Sequence, residues 1–423
     1  MKLPEHHCKS GMWYTFDECW KLKEKNIQEY FSLMQKNCSS VIEIIAHGFH
    51  GSFINELVRA VASSYEVGYS FISGKWDAAL AKEDCFNADN SWSCLFEEVN
   101  FCSRQNIKDI STIQYLSKVK ESYPSNLSLH LQIAEIRYNA NDYLRSNIWD
   151  TWMKKFDVPA SFIYGQFLLF LFHKPKSYVM FYFDKHKAEI SKLFEGKKVM
   201  CIHYRAFNNT HDVGEKHNMI HNDNRVAVEL DLYIKHVDDL IHSGQNIEIV
   251  YISSDIDLSA EMLQLRFPNR KYKFIVARKV SDPLHVLYNS TFHNTTRSTI
   301  AVFLDMDILS GCDSLLVGYS NWATILSALM KAKKPTSPSQ NICSVDMRRF
   351  EKYNLTTRSN AKIYCIGDTQ KTLFDTFQYD WYINHSPIFQ YYQIFDTIPN
   401  IISNDLFDQV NFGHWKKLNT LKT

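Results

Sequence analysis

One apolar run of this sequence, residues 198–203, ends in His203-Tyr204-Arg205, a triplet with two side chains that can meet an anion. Side chains repeat every second residue along a strand, so His203 and Arg205 share a side. The arginine fork matches two phosphate oxygens at once, and with His203 it could hold a nucleoside diphosphate. A structural ion pair for Arg205 and a satisfied core position for His203 are the alternative. Beyond them, residues 206–225 form a long polar stretch carrying Asp212, Glu215 and Asp223. Long polar loops at the carboxyl end of a strand are where active sites are built.

Other strand ends carry further chemistry. Ser253-Ser254-Asp255-Ile256-Asp257 could hold a sugar hydroxyl, or cap the next helix through Asp255 or Asp257. Asp305 lies in an otherwise apolar helix segment, Val302-Phe303-Leu304-Asp305-Met306-Asp307. Unpaired there it would cost several kcal/mol, on the order of the burial penalty of a lone charge, so it needs a partner. A guanine base offers two adjacent N–H donors that adenine lacks; a nearby Arg or a helix N-terminus would serve equally. Gly318-Tyr319-Ser320-Asn321 joins a strand to a helix, and backbone N–H groups at that N-terminus make an anion site without net charge. Earlier, His47-Gly48-Phe49-His50-Gly51 links the strand expected at 41–46 to a helix expected at 53–65.

The elements that must position these residues follow from periodicity. A strand at 69–73 comes three residues after the first helix, as a parallel crossover requires. Residues 128–156, 161–173 and 178–194 read as helical. From 197 to 335, strands at 198–203, 247–253, 273–276 and 314–317 alternate with helices at 230–243, 258–267, 298–309 and 322–332. The expected fold is therefore α/β, with a doubly wound parallel sheet in its C-terminal part and a helical N-terminal portion. Three regions are expected: 1–195, an α/β and helical domain; 196–335, a Rossmann-like nucleotide-binding domain; and 336–423, a C-terminal extension with no clear period.

Composition narrows the function. Lys+Arg number 47 against 46 Asp+Glu, a net charge of +1, so no global field recruits nucleic acid or an anionic membrane. Hydrophobic content of 45% over 423 residues places the chain with folded proteins of two or three domains. The longest apolar stretch, 161–173, falls short of the roughly 20 residues a membrane span needs. No GxGxxG with a later acidic residue, no GxxxxGK[ST] and no GxSxG is present, which disfavours dinucleotide, P-loop and hydrolase-elbow chemistry. No apolar targeting segment shows in the first twenty residues, which leaves the compartment open. Cys85, Cys94 and Cys102 cluster in a loop-like segment with no CxxC and no nearby His, which favours disulfides over a metal. Seven Asn-x-Ser/Thr sequons, from Asn37 to Asn384, point weakly the same way.

The order of these pieces resembles the α-1,6-fucosyltransferases, the family of the N-glycan core enzyme and of rhizobial enzymes acting on chitooligosaccharides. Gly48-Phe49-His50-Gly51 is similar to the family's Gly-Phe-Gly loop, and the segment from Ser91 to Cys102 to its aromatic-cysteine segment. His203-Tyr204-Arg205-Ala206 resembles His-Val-Arg-Arg, and Val250-Tyr251-Ile252-Ser253-Ser254-Asp255 resembles Val-Tyr-Leu-Ala-Thr-Asp. Val302 to Asp305, Leu309-Ser310-Gly311-Cys312-Asp313 and Tyr319-Ser320-Asn321 resemble the third piece, without a gap. The resemblance covers about residues 40–335.

It implies a GT-B-like plan of two Rossmann-like halves and metal-independent, inverting transfer of fucose from GDP-fucose to a GlcNAc hydroxyl of a glycan. The N-glycan core is the leading acceptor, and the Golgi or secretory lumen the implied compartment; no cofactor besides the donor is needed. By position, His203 and Asp305 would contact the guanine nucleoside and Arg205 the diphosphate. Gly51, Ser320 and Asn321 would close on the phosphates, and Asp255 would support the site. Glu215 is the expected base, with Asp212 beside it. Ala206 stands where the family has a second basic residue, and the following loop is longer. Protein O-fucosyltransferase and non-catalytic glycan- or nucleotide-binding relative are the competing readings; a cytoplasmic location is the alternative compartment.

Overall fold

The computed structural model describes residues 16–36, 38, 41–48, 50–66, 68–78, 95–97, 99, 102, 110–112, 128–132, 148–158, 160–204, 230–254, 256, 258–277, 296–318, 321–335, 342–346 and 362–365. Helix α1 (Phe16–Gln35) precedes a first sheet of β1 (Val41–Gly48), β2 (Ser70–Ala78), β3 (Ile110–Thr112) and β4 (Ser128–Gln132). Its order is β2-β1-β4-β3, and every pairing is parallel. Between β1 and β2 runs α2 (His50–Glu66). Gly68, at φ 86°, turns the chain from that helix into β2, with its N–H bonded to the Tyr65 carbonyl. A left-handed φ suits glycine because no Cβ opposes it.

Two expectations change here. The glycine segment at 47–51 is shorter than its sequence suggests: β1 runs through Gly48 and α2 begins at His50. Within the stretch 128–156 expected to be helical, residues 128–132 are instead a strand in the middle of the sheet, and Ile148–Phe156 form helix α3. A five-residue stretch has too little length to declare a helical period, and pairing with β1 and β3 decides its state.

Helices α4 (Ala160–Leu171) and α5 (Ser177–Phe194) lead into the second sheet. Along it run β5 (Val199–Tyr204), α6 (Leu230–His242), β6 (Ile249–Ser254), α7 (Ala260–Arg266), β7 (Lys273–Val276), α8 (Thr296–Leu309), β8 (Ser314–Val317) and α9 (Asn321–Lys333). The sheet continues past residue 335 with β9 (Ile342–Asp346) and β10 (Lys362–Cys365), so its strands extend into the region set apart as a tail. Its order is β10-β9-β8-β5-β6-β7, parallel throughout except where β10 joins β9 antiparallel. Strands β5, β6 and β8 are buried almost end to end, which is why they read as continuous apolar runs.

The turn motif Ser310-Gly311-Cys312-Asp313 fixes the β5/β8 register at its near end. The Asp313 N–H donates to the Val199 carbonyl at 3.1 Å, and the Val199 N–H donates to Asp313 Oδ2 at 3.0 Å. A disulfide joins Cys201 to Cys312 across the same pair of elements. Cys102 is bonded to Cys38, outside the cysteine trio; Cys85 and Cys94 lie outside the described residues. Cys19 and Cys343 are also disulfide-bonded, and no described cysteine is free.

Helix α9 packs on α4 and on α2, so one apolar core is shared by elements of both sheets, with Ile325 and Leu329 in the same cluster as Phe167, Leu57 and Ile44. Gly165 permits the α4–α9 approach. A Cβ at that position would fall on the Ala328 carbonyl oxygen and lie 2.6 Å from the Ala332 Cβ. In an isolated helix Ala is favoured over Gly by about 1 kcal/mol. Here the steric term dominates, because the obstacle is backbone. Gly165→Ala is expected to lose about 2 kcal/mol in urea denaturation, the range of core overpacking; a stabilised variant would refute the close approach.

Candidate functional site

In the second sheet the chain winds outward from β5 through β6 to β7, then returns to lay β8 on the other flank of β5. This is the reversal at which open α/β sheets bind ligands, outside the carboxyl ends of the strands. His203 is the penultimate residue of β5, facing that reversal, and is partly exposed. Its carbonyl accepts the N–H of Gly318 at 2.9 Å, which ties the end of β5 to the end of β8. Gly318 is buried, and three residues later Asn321 opens α9, so a helix begins just past the strand end that is tied to His203. Oriented N–H groups at such a terminus favour an anion.

On the other side, His203 is paired in register with Ser253 of β6. Ser253 is 4% exposed, and its hydroxyl donates to Oδ2 of Asp305 at 2.6 Å. Asp305, 7% exposed, thus accepts a serine hydroxyl reaching up from the neighbouring strand. His203, Ser253 and Asp305 therefore form one group at the strand ends, with Gly318 and the start of α9 flanking it. Ser253 entered the sequence argument only as a member of a hydroxyl-rich run. Its bond to Asp305 depends on the β5/β6 register and the docking of α8, which no local pattern reveals.

The other expected residues divide as follows. Asn321 is the first residue of α9 and Gly51 the second of α2. Arg205, Asp212, Glu215, Asp255 and Ser320 lie outside the described residues. Helix α7 is capped by Ser259, whose hydroxyl accepts the Met262 N–H at 3.1 Å, rather than by Asp255 or Asp257. Among the described residues no group of three or more His, Cys, Asp or Glu side chains could hold a metal ion, and no helix is long and apolar enough to cross a membrane.

Asp307, two residues beyond Asp305, has a different role. Residues two apart on a helix do not face each other. Asp307 meets Lys333 Nζ at 2.7 Å and Lys187 Nζ at 2.6 Å, binding α8 to α9 and α5. Burial pushes its carboxyl up, but Lys333 and Lys187 outweigh this and hold it below its usual 3.8. A carboxylate depressed in the folded state adds stability above its unfolded pKa and loses it as pH falls through the folded one. Asp307→Asn should therefore cost about 1–2 kcal/mol at pH 7, the range between exposed and buried pairs. The gap between variant and parent should narrow below pH 4, its usual range. Thermal melts across pH 2–7, as an approximate span around that range, measure both.

No protein-family model and no curated protein matches the sequence. Among solved structures, three are similar to this chain as follows. A NodZ α-1,6-fucosyltransferase soaked with GDP-fucose superposes with a TM-score of 0.43 at 12% identity, covering 76% of this chain and 98% of that one. A fucosyltransferase NodZ from Bradyrhizobium gives 0.40 at 10% identity over the same shares. POFUT1 in complex with GDP-fucose gives 0.39 at 9% identity, covering 73% of this chain and 97% of that one.

Proposed function

We propose that this protein is a GT-B-like glycosyltransferase that moves fucose from GDP-fucose to a GlcNAc hydroxyl of a glycan with inversion. In this reading the four-stranded and six-stranded sheets are its two Rossmann-like halves, the six-stranded one holding the donor and residues 1–195 the acceptor. The observation that carries it is the strand reversal at β5/β8, with Gly318 bonded to His203 at the strand ends and Asp305 bonded to Ser253, the cross-strand partner of His203. The resemblance of the motifs at those same strand ends supplies the substrate class.

The chemistry follows from charge. The acceptor hydroxyl gives its proton to Glu215 as its oxygen attacks the anomeric carbon, and the bond from that carbon to the β-phosphate oxygen breaks on the opposite face. Negative charge grows on the departing diphosphate, where Arg205 and the N–H groups opening α9 oppose it. His203 and Asp305 hold the nucleoside, and Asp255 supports the site. Protein O-fucosylation is the competing reading, and the acceptor separates the two.

GDP-fucose turnover is measured against a panel of GlcNAc-terminated glycans and folded Ser/Thr-bearing domains, with GlcNAc acceptors expected to be used. Arg205→Ala should lower turnover by about 10²–10³, as loss of one charge-stabilising donor does. Glu215→Gln should lower it by about 10²–10⁴, the contribution of general-base catalysis. Unchanged turnover in Arg205→Ala removes the site assignment.

A secretory-lumen residence is proposed with it. Cys19, Cys38, Cys102, Cys201, Cys312 and Cys343 are all in disulfides, a pattern that persists in oxidising compartments. Mass mapping of unreduced protein from the secretory pathway should return the Cys38–Cys102 and Cys201–Cys312 cross-links. Free thiols at those four positions would count against that residence.

A further inference from the structure

We infer that Ser253 is the positioning residue that fixes the Asp305 carboxylate against the edge of a nucleobase, giving this site its preference for guanine; the inference rests on the donor reading proposed above. Three facts converge on it. The hydroxyl and carboxylate are both buried, at 4% and 7% exposure, and stand 2.6 Å apart. Ser253 is the cross-strand partner of His203, so the bond lies in the row of residues next to the carboxyl ends of β5 and β6. The chain reverses its winding there, next to the end of β8.

A carboxylate offers about four lone-pair positions on its two oxygens, so one hydroxyl does not exhaust it. What the hydroxyl removes is rotation. A short hydrogen bond to a charged acceptor selects one rotamer, and a carboxylate held in one orientation can meet two adjacent N–H donors together. Guanine presents such a pair, N1–H and the exocyclic 2-amino group; hypoxanthine presents N1–H alone, and adenine neither. The strand motif that residues 250–255 resemble has Ala where this chain has Ser253, so the hydroxyl belongs to this sequence and is not carried by the resemblance.

The test compares GDP with inosine diphosphate, which lacks only the 2-amino group, by calorimetry on the full chain and on Ser253→Ala and Ser253→Thr. The parent is expected to favour GDP. Ser253→Ala should shrink the GDP/IDP affinity ratio by about ten-fold, the worth of one hydrogen bond to a charge, and Ser253→Thr should restore it. With GDP-fucose, Ser253→Ala should raise KM and leave kcat at saturation near the parent value, a split that a merely loosened fold does not produce. A Ser253→Ala protein that keeps the parent's ratio overturns the inference while leaving GDP binding intact. A parent that binds neither nucleotide overturns the donor reading, and this inference with it. Should Ser253→Ala fail to fold, the weak thiol donor of Ser253→Cys gives the same comparison.

Discussion

The pairing of β5 with β8 is the contact on which the site depends. It is held at both ends by bonds outside the ladder itself. At the start, Val199 and Asp313 exchange N–H donations; at the finish, Gly318 donates to the His203 carbonyl. Parallel ladders are slightly weaker per residue than antiparallel ones, and register is what they most need specified. A slip of β8 by one residue would carry Gly318 away from the His203 carbonyl and shift the start of α9 with it. The motif running from Ser310 to Asp313 therefore acts at a distance: its structural task at one end of the strands sets the chemistry at the other.

The same logic explains why α9 is anchored so firmly. Its first residue follows β8 after Gly318 and two more, so the direction of its N–H groups is fixed by where its body lies. That body packs on α4 and α2, which belong to the first sheet's side of the chain. The packing requires a missing side chain at Gly165 and runs through a buried cluster that includes Ile325, Ala328 and Leu329. A helix dipole aims an anion only as well as the helix is held. Here the α9 terminus is held by a core extending beyond its own sheet.

Much of the second sheet was legible because its strands are covered on both faces. Full burial produces continuous apolar runs such as 249–252 and 314–317, and the helices between them keep a clear period. The residues 128–132, 342–346 and 362–365 escaped for the opposite reason. Each is short, and each becomes a strand only because a partner distant in sequence is already in place. At the site, His203 was legible from its position at a strand end. The partner of Asp305 was not, since a buried carboxylate announces a need without naming what meets it.

Asp305 and Asp307 show how one helix resolves that need in two ways. Both sit in α8, and two helical residues apart they look in different directions. Asp307 turns to Lys187 and Lys333, where two full charges oppose its burial, and the result is a fastening between helices. Asp305 turns to β6 and meets a hydroxyl, which supplies a hydrogen bond without neutralising charge. Two ammonium groups fasten Asp307 through charge, whereas a hydroxyl directed at one oxygen of Asp305 fixes how that carboxylate is turned.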